Sequence, residues 1–273
     1  MEELNSLFGG NRMKQRIITA IWGIALVTLA NFLGGIWLKI FGALVAAAAL
    51  YEFFNLFKIE RYMLYLSITL SCIFVLSDVN IGNKMFVLFI LLFLLAFIES
   101  FKNRIASQSI IYVAFSFIYI VFPILFLVLL GEFRNGKKLI WLPYLVCWLS
   151  DTFAYFAGLA LGKRRIWSNI SPKKSLEGFF GAIVGGVLAV WFYQFGLSAK
   201  NFDLSILLIS TAEGMMLSIV AHTGDLFASM LKRQQQKKDF GSILPGHGGV
   251  LDRFDSLIMV TPIIYFLAKF GLF

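Results

Sequence analysis

Long apolar stretches alternate with short polar breaks along the whole chain. Runs such as GALVAAAAL (42–50), MFVLFILLFLLAFI (85–98) and FPILFLVLL (122–130) are separated by KIER, SDVNIGNK, EFRNGKK and similar clusters. Runs this apolar suit a helix whose solvent is lipid. Since roughly 20 residues of helix cross a bilayer core, the breaks predict an all-α, polytopic membrane protein of nine spans. These fall at 17–34, 36–57, 62–79, 84–101, 109–130, 139–162, 177–198, 204–230 and 250–270. The first two are joined by NFLGG, which also permits one long bent helix. Two regions are expected: five amino-terminal spans over 1–135, and a carboxyl-terminal region over 136–273 carrying two polar loops.

Composition supports the bilayer as solvent: of 273 residues, 59% are hydrophobic and 16% aromatic, more apolar surface than a soluble core of this size can hide. The first apolar run is too long for a cleaved signal core and is expected to stay in the membrane. Cys72 and Cys147 both lie in apolar runs, at no spacing suited to zinc, redox or disulfide chemistry.

Charge gives the spans a direction. With nine spans, sixteen of the 24 Lys and Arg fall on the side of the amino terminus and seven on the other, with Arg253 at the head of the last span. The positive-inside rule makes the richer side, and the amino terminus with it, cytoplasmic. EFRNGKK (132–138) is the exception, placing three basic residues outside. Membrane sidedness accounts for the net charge of +9, so nucleic acid is not an expected partner. Both polar loops, GKRRIWSNISPKKS (162–175) and KRQQQKKDFGSILPGHGG (232–249), fall on the cytoplasmic face.

Ionised acids inside a span are costly and face protein, water or a cation. Those that cannot reach an interface concentrate in the second half: Asp151, Glu213, Asp225, Asp252 and Asp255. Asp252 and Asp255 share a helix face at three-residue spacing. There they either cap the helix or hold a divalent cation, Mg²⁺ favouring a few carboxylates plus phosphate oxygens. Asp225 lies seven residues before Lys232 on nearly the same face. Pairing with a lysine, helix bridging or metal binding would each explain it. Asp151 and Tyr155, at i, i+4, suit helix–helix hydrogen bonding as well as a ligand. His222, in mid-span, suits helix packing.

The loops suit anions. PGHGG is neither regular helix nor strand, its glycines let backbone N–H groups approach an anion, and a helix start follows. It is neither a Walker A loop nor GxGxxG. His247 suits a phosphate or structural contact better than proton transfer, since phosphoryl-type transfer depends mainly on positioning and charge neutralisation. Lys232, Arg233, Lys237 and Lys238 form either an inner-face anchor or an anion funnel. In SPKKSLEG (171–178), Ser175 or Ser171 is placed to cap the next helix, Glu177 suits its first turn, and Lys173 and Lys174 can reach a phosphate. EGFFGAIVGG predicts close helix packing.

The stretch SMLKR, four residues, then KDFGSILPGHGGVLDRFD (229–255) closely resembles the signature of the phosphatidate cytidylyltransferases, the CDP-diacylglycerol synthases. SDTFAYFAGLALGK (150–163) and SPKKSLEG are similar to the same family's upstream block, so the specific resemblance covers about 148–260. Ala228 departs from it, standing where many members carry an acid. The resemblance implies transfer of a cytidylyl group from CTP to phosphatidate at the cytoplasmic face of a bacterial inner membrane. It also implies Mg²⁺ as cofactor, K⁺ as a second cation, and a homodimer. With the residue chemistry it gives Asp225, Asp252 and Asp255 as catalytic and metal-binding, and Lys173 as catalytic. Ser171, Lys174, Lys232, Arg233, Lys238, Asp239, Gly246, His247, Gly248, Gly249 and Arg253 complete it as substrate-binding residues. Two other classes fit intramembrane acids and broken helices: a CTP-dependent lipid-alcohol kinase and an ion-coupled transporter.

Overall fold

The computed structural model describes the backbone of residues 2–100, 107–166, 170–172, 174–199 and 201–273, with side chains from Met13 onward apart from 98–108. Among the described residues there are helices and no strands, only isolated bridges at Arg165–Ser175 and Leu244–Gly248. The helices are α1 (Glu2–Leu33), α2 (Gly35–Leu56), α3 (Arg61–Leu76), α4 (Ile81–Ser100), α5 (Ser107–Ser116), α6 (Phe122–Leu130), α7 (Gly136–Leu139), α8 (Trp141–Leu161), α9 (Leu176–Trp191), α10 (Leu204–Gln234) and α11 (Leu251–Lys269). A π-helical turn joins α5 to α6 (Phe117–Val121), and another extends α9 (Phe192–Leu197).

Among the described residues, six segments are long and apolar enough to cross a membrane: Met13–Leu33, Gly35–Leu56, Ser109–Leu130, Gly136–Leu161, Leu176–Leu197 and Leu204–Gln234. Arg61–Leu76 and Ile81–Phe97 are shorter apolar helices, and α11 opens with three charged residues in its first five. The first two spans are separate helices. Gly34 and Gly35 take positive φ of 65° and 50°, which breaks the helix where NFLGG left the choice open. Large apolar side chains point outward along these helices, among them Trp22, Phe32, Phe86 and Phe93, as a lipid solvent allows.

The chain packs as two compact units, one of residues 1–125 with 240–251 and the other of 126–239 with 252–273. In the first, Phe53 is fully buried and stacks its ring near those of Phe57, Phe115 and Tyr112, at centroid distances of 4.6, 5.8 and 6.4 Å. Lys84, also buried, donates to the carbonyls of Phe74 and Ser77 at 2.5 and 2.8 Å, and Lys39 pairs with Asp78. Two basic residues on the sparse side of the charge pattern therefore have partners within the chain.

The second unit is built on the close packing of α8, α9 and α10 that EGFFGAIVGG predicts. A Cβ at Gly181 would lie 2.5 Å from Ala157 Cβ, and one at Gly186 would lie 2.5 Å from Ser218 Cβ. One at Gly214 would lie 2.5 Å from Val187 Cα, and one at Gly185 would run into the Leu149 carbonyl. Backbones this close leave no room for a methyl group. Ser150 and Ser218 hydrogen-bond across the buried seam at 3.2 Å. His222 is a packing residue, buried, with its ring edge-on to Phe179 at 5.3 Å. Both cysteines are free.

Candidate functional site

In the second unit, ion pairs gather the charged side chains of three elements. α10 ends in Lys232 and Arg233, and Lys232 Nζ lies 2.7 Å from Asp252 Oδ1 of α11, with both residues buried. Lys174, in the loop before α9, places Nζ 2.9 Å from Asp225 Oδ2 of α10, in a more open setting. Asp225 and Lys232 thus share a helix without sharing a bond. Seven residues of helix separate them by roughly 10 Å along the axis, and each finds its partner on another element.

The loop before α9 folds back on itself. Ile166 N donates to Lys174 O and Leu176 N to Arg164 O, at 3.2 and 2.9 Å. Ser175 caps α9, its hydroxyl accepting from Gly178 N at 3.1 Å, which settles the choice between Ser175 and Ser171. Glu177 in the first turn accepts from Arg164 N at 3.3 Å. The capped helix start and the backbone bonds of Ile166 and Leu176 hold Lys174 toward Asp225. Ser171 is half-buried and lends its carbonyl to Lys174 N at 3.2 Å. Lys173 lies outside the described residues.

Asp255 and Asp225 interact electrostatically, and Asp151 of α8 acts on both. Lys174 and Arg253 offset the charge at Asp151, and Lys232 offsets that at Asp255. Asp151 therefore joins a cluster in which the sequence left it without a role. Asp255 accepts locally from Ser256 N at 2.8 Å. Arg233, Lys238, Asp239 and Arg253 are exposed. Arg233 spans to the carbonyls of Ile170 and Lys237 at 3.5 and 3.3 Å.

By donor chemistry these carboxylates suit a hard cation: they are oxygen ligands, and their mutual repulsion is only partly offset by lysine. No three His, Cys, Asp or Glu side chains among the described residues converge as a ligand set. Asp225 and Asp252 each face a lysine instead.

The glycine loop belongs to the first unit. Leu244 N donates to Gly248 O and His247 N to Leu244 O, both at 2.9 Å, closing a tight turn around Pro245 and Gly246. Gly246 and Gly248 take positive φ of 77° and 81°, which a Cβ would strain. His247 Nδ1 is buried without a hydrogen-bond partner among the described residues. At the helix start that follows, the anion is one of the chain's own. Glu52 of α2, 2% exposed, accepts from Val250 N and Leu251 N at 3.0 and 2.9 Å. Sequence reasoning passed over Glu52. Its signal was an acid inside the apolar run GALVAAAALYEFF, and the same cost argument that singled out the acids of the second half applied there.

The family model described as Cytidylyltransferase family matches residues 14–270. Relatives named phosphatidate cytidylyltransferase match across nearly the whole chain. The one from Bacillus subtilis (strain 168) is 33% identical, covering 93% of this chain and 97% of its own. Those from Staphylococcus haemolyticus (strain JCSC1435) and Staphylococcus epidermidis (strain ATCC 12228 / FDA PCI 1200) are 32% and 34% identical, each covering 93% of this chain and 98% of its own.

Proposed function

Because the chain belongs to the cytidylyltransferase family, we propose that it transfers the cytidylyl group of CTP to phosphatidate, giving CDP-diacylglycerol and pyrophosphate for phospholipid synthesis. The full-length likeness to relatives bearing that name carries the assignment. The geometry supports it with lysines held against carboxylates by a loop and two helices. A lipid phosphate fixed at the membrane interface and a nucleotide arriving from water can meet only where such helices end.

In this reaction a phosphatidate phosphate oxygen attacks the α-phosphorus of CTP. A phosphoanhydride bond forms there as the α–β bond breaks, and pyrophosphate carries away the leaving charge. Both reactants are anions, so most of the work is charge neutralisation and alignment. Lys174, paired with Asp225, would exchange it for a phosphate oxygen, and Lys173, Lys232 and Arg233 would add positive charge. Arg253, Lys238, Ser171 and Asp239 complete the polar surround. The loop Gly246 to Gly249, with His247, takes the CTP phosphates. Asp225, Asp252 and Asp255 would hold Mg²⁺ and any K⁺, with Asp151 adding to their negative field. Mg²⁺ would supply charge stabilisation on the phosphoryl oxygens. No covalent enzyme intermediate is needed, because phosphatidate brings its own nucleophile.

The proposal extends to nine spans with a cytoplasmic amino terminus and site, set in a bacterial inner membrane, and to a homodimer. The charge asymmetry supports the orientation. The test is purified protein in lipid micelles with Mg²⁺, CTP and phosphatidate. CDP-diacylglycerol should appear in the lipid extract as phosphatidate is consumed. Its absence with folded protein would end the assignment.

A further inference from the structure

Four observations converge on one side chain of the first unit. Glu52 is buried near the carboxyl end of the apolar helix α2, where an ionisable group out of water is costly. Its two oxygens take one backbone amide each, Val250 N and Leu251 N, across nearly 200 residues of sequence. Gly241 and Gly249 are bare where it passes: a Cβ at Gly241 would lie 2.6 Å from Glu52 Oε1, and one at Gly249 would meet Oε2. The loop between these glycines is also held from α1, where Thr19 Oγ1 donates to Pro245 O at 3.1 Å and Arg16 lies under Gly246.

A helix start has unpaired amides and a partial positive charge, and an anion there is stabilised by both. In most anion sites that charge is the ligand's. Here Glu52 fills the place, so the amides of Val250 and Leu251 are already satisfied before substrate binds. His247 N and Leu244 N are spent closing the turn. The loop is thus fixed at both ends by bonds that use its own donors, and the His247 ring lies between them with Nδ1 buried.

We propose that Glu52 is a positioning residue for CTP: its carboxylate pins the loop 241–251 in the form that receives the nucleotide, without touching substrate itself. The inference rests on the activity proposed above. Glu52→Gln keeps the volume but turns an N–H₂ toward one of two amides that both need an acceptor. Gly241→Ala leaves Glu52 chemically intact and pushes it aside, so it decides the matter if Glu52→Gln does not fold.

The experiment combines hydrogen exchange of the full chain in lipid nanodiscs with steady-state kinetics. Both variants should speed exchange of the 244–251 amides and leave that of α8 to α10 unchanged. Each should lower kcat/KM for CTP by about 100-fold, the scale of a misplaced binding element, mainly through KM for CTP, with KM for phosphatidate unchanged. A merely structural role would shrink the active fraction, lowering kcat with both KM values kept. That pattern, wild-type kinetics, or unchanged exchange at 244–251 in the folded variants would each overturn the inference. An inactive wild-type protein would instead refute the proposed activity, and the exchange data alone would then decide whether Glu52 pins the loop.

Discussion

Lys232 and Asp252 form a buried ion pair, 2.7 Å between Nζ and Oδ1, joining the end of α10 to the start of α11. Its surroundings set Asp252 apart from Asp255, three residues on, although the sequence presents the two as equivalent. Asp252 is ion-paired to Lys232, whereas Asp255 feels the like charges of Asp225 and Asp151 as well as the opposite charge of Lys232.

Asp252→Asn should therefore cost stability as well as turnover. Removing one partner of a buried pair leaves the other charge uncompensated, at about 3–5 kcal/mol. Denaturation in micelles should show a clear loss. A variant as stable as the parent would mean that Lys232 does not depend on Asp252.

Asp255→Asn should behave in the opposite way. Neutralising one of three mutually repelling carboxylates relieves strain in the absence of a cation, so the protein should unfold at the same temperature or higher. Activity should fall by about two to three orders of magnitude, as when a charge-stabilising group is lost from a transition state. Thermal unfolding measured beside turnover checks both halves. Near-normal turnover would remove Asp255 from the proposed metal set.

Gly214→Ala tests the helix seam. Its Cβ would press on Val187 Cα at 2.5 Å, backbone against which no side chain can rotate away. Overpacking of this kind costs about 1–3 kcal/mol. The same change at Gly23, where nothing lies within 4 Å, should cost little. Equal effects at both positions would mean that the seam is looser than described.

Much of this architecture is legible in the sequence, for identifiable reasons. Helical content follows from apolar runs of bilayer length, and the tight seam follows from Gly178, Gly181, Gly185 and Gly186 at helical spacing on one segment. Ser175 and Glu177 announce a capped start because capping is local chemistry. Pairings across the chain are a different matter. Nothing in the spacing of Asp225 and Lys232 tells that each turns to another element, since that depends on how helices come together. The partners of Glu52 were hidden for the same reason: they are amides, which have no sequence signature, nearly 200 residues away. Asp151 was visible as an intramembrane acid, but its neighbours Asp225 and Asp255 come from helices that only the fold assembles.

Cytidylyl transfer breaks the bond between the α- and β-phosphorus atoms of CTP, and the position of a label reports which bond is broken. Parallel reactions with CTP labelled at the α- or the γ-phosphorus, each with phosphatidate, Mg²⁺ and purified protein, would be extracted into lipid and water. Cytidylyl transfer should put α-label in the lipid and γ-label in aqueous pyrophosphate, with one pyrophosphate for each labelled lipid. Label entering the lipid from the γ-position, with CDP left in water, would contradict it and mark the protein as a kinase.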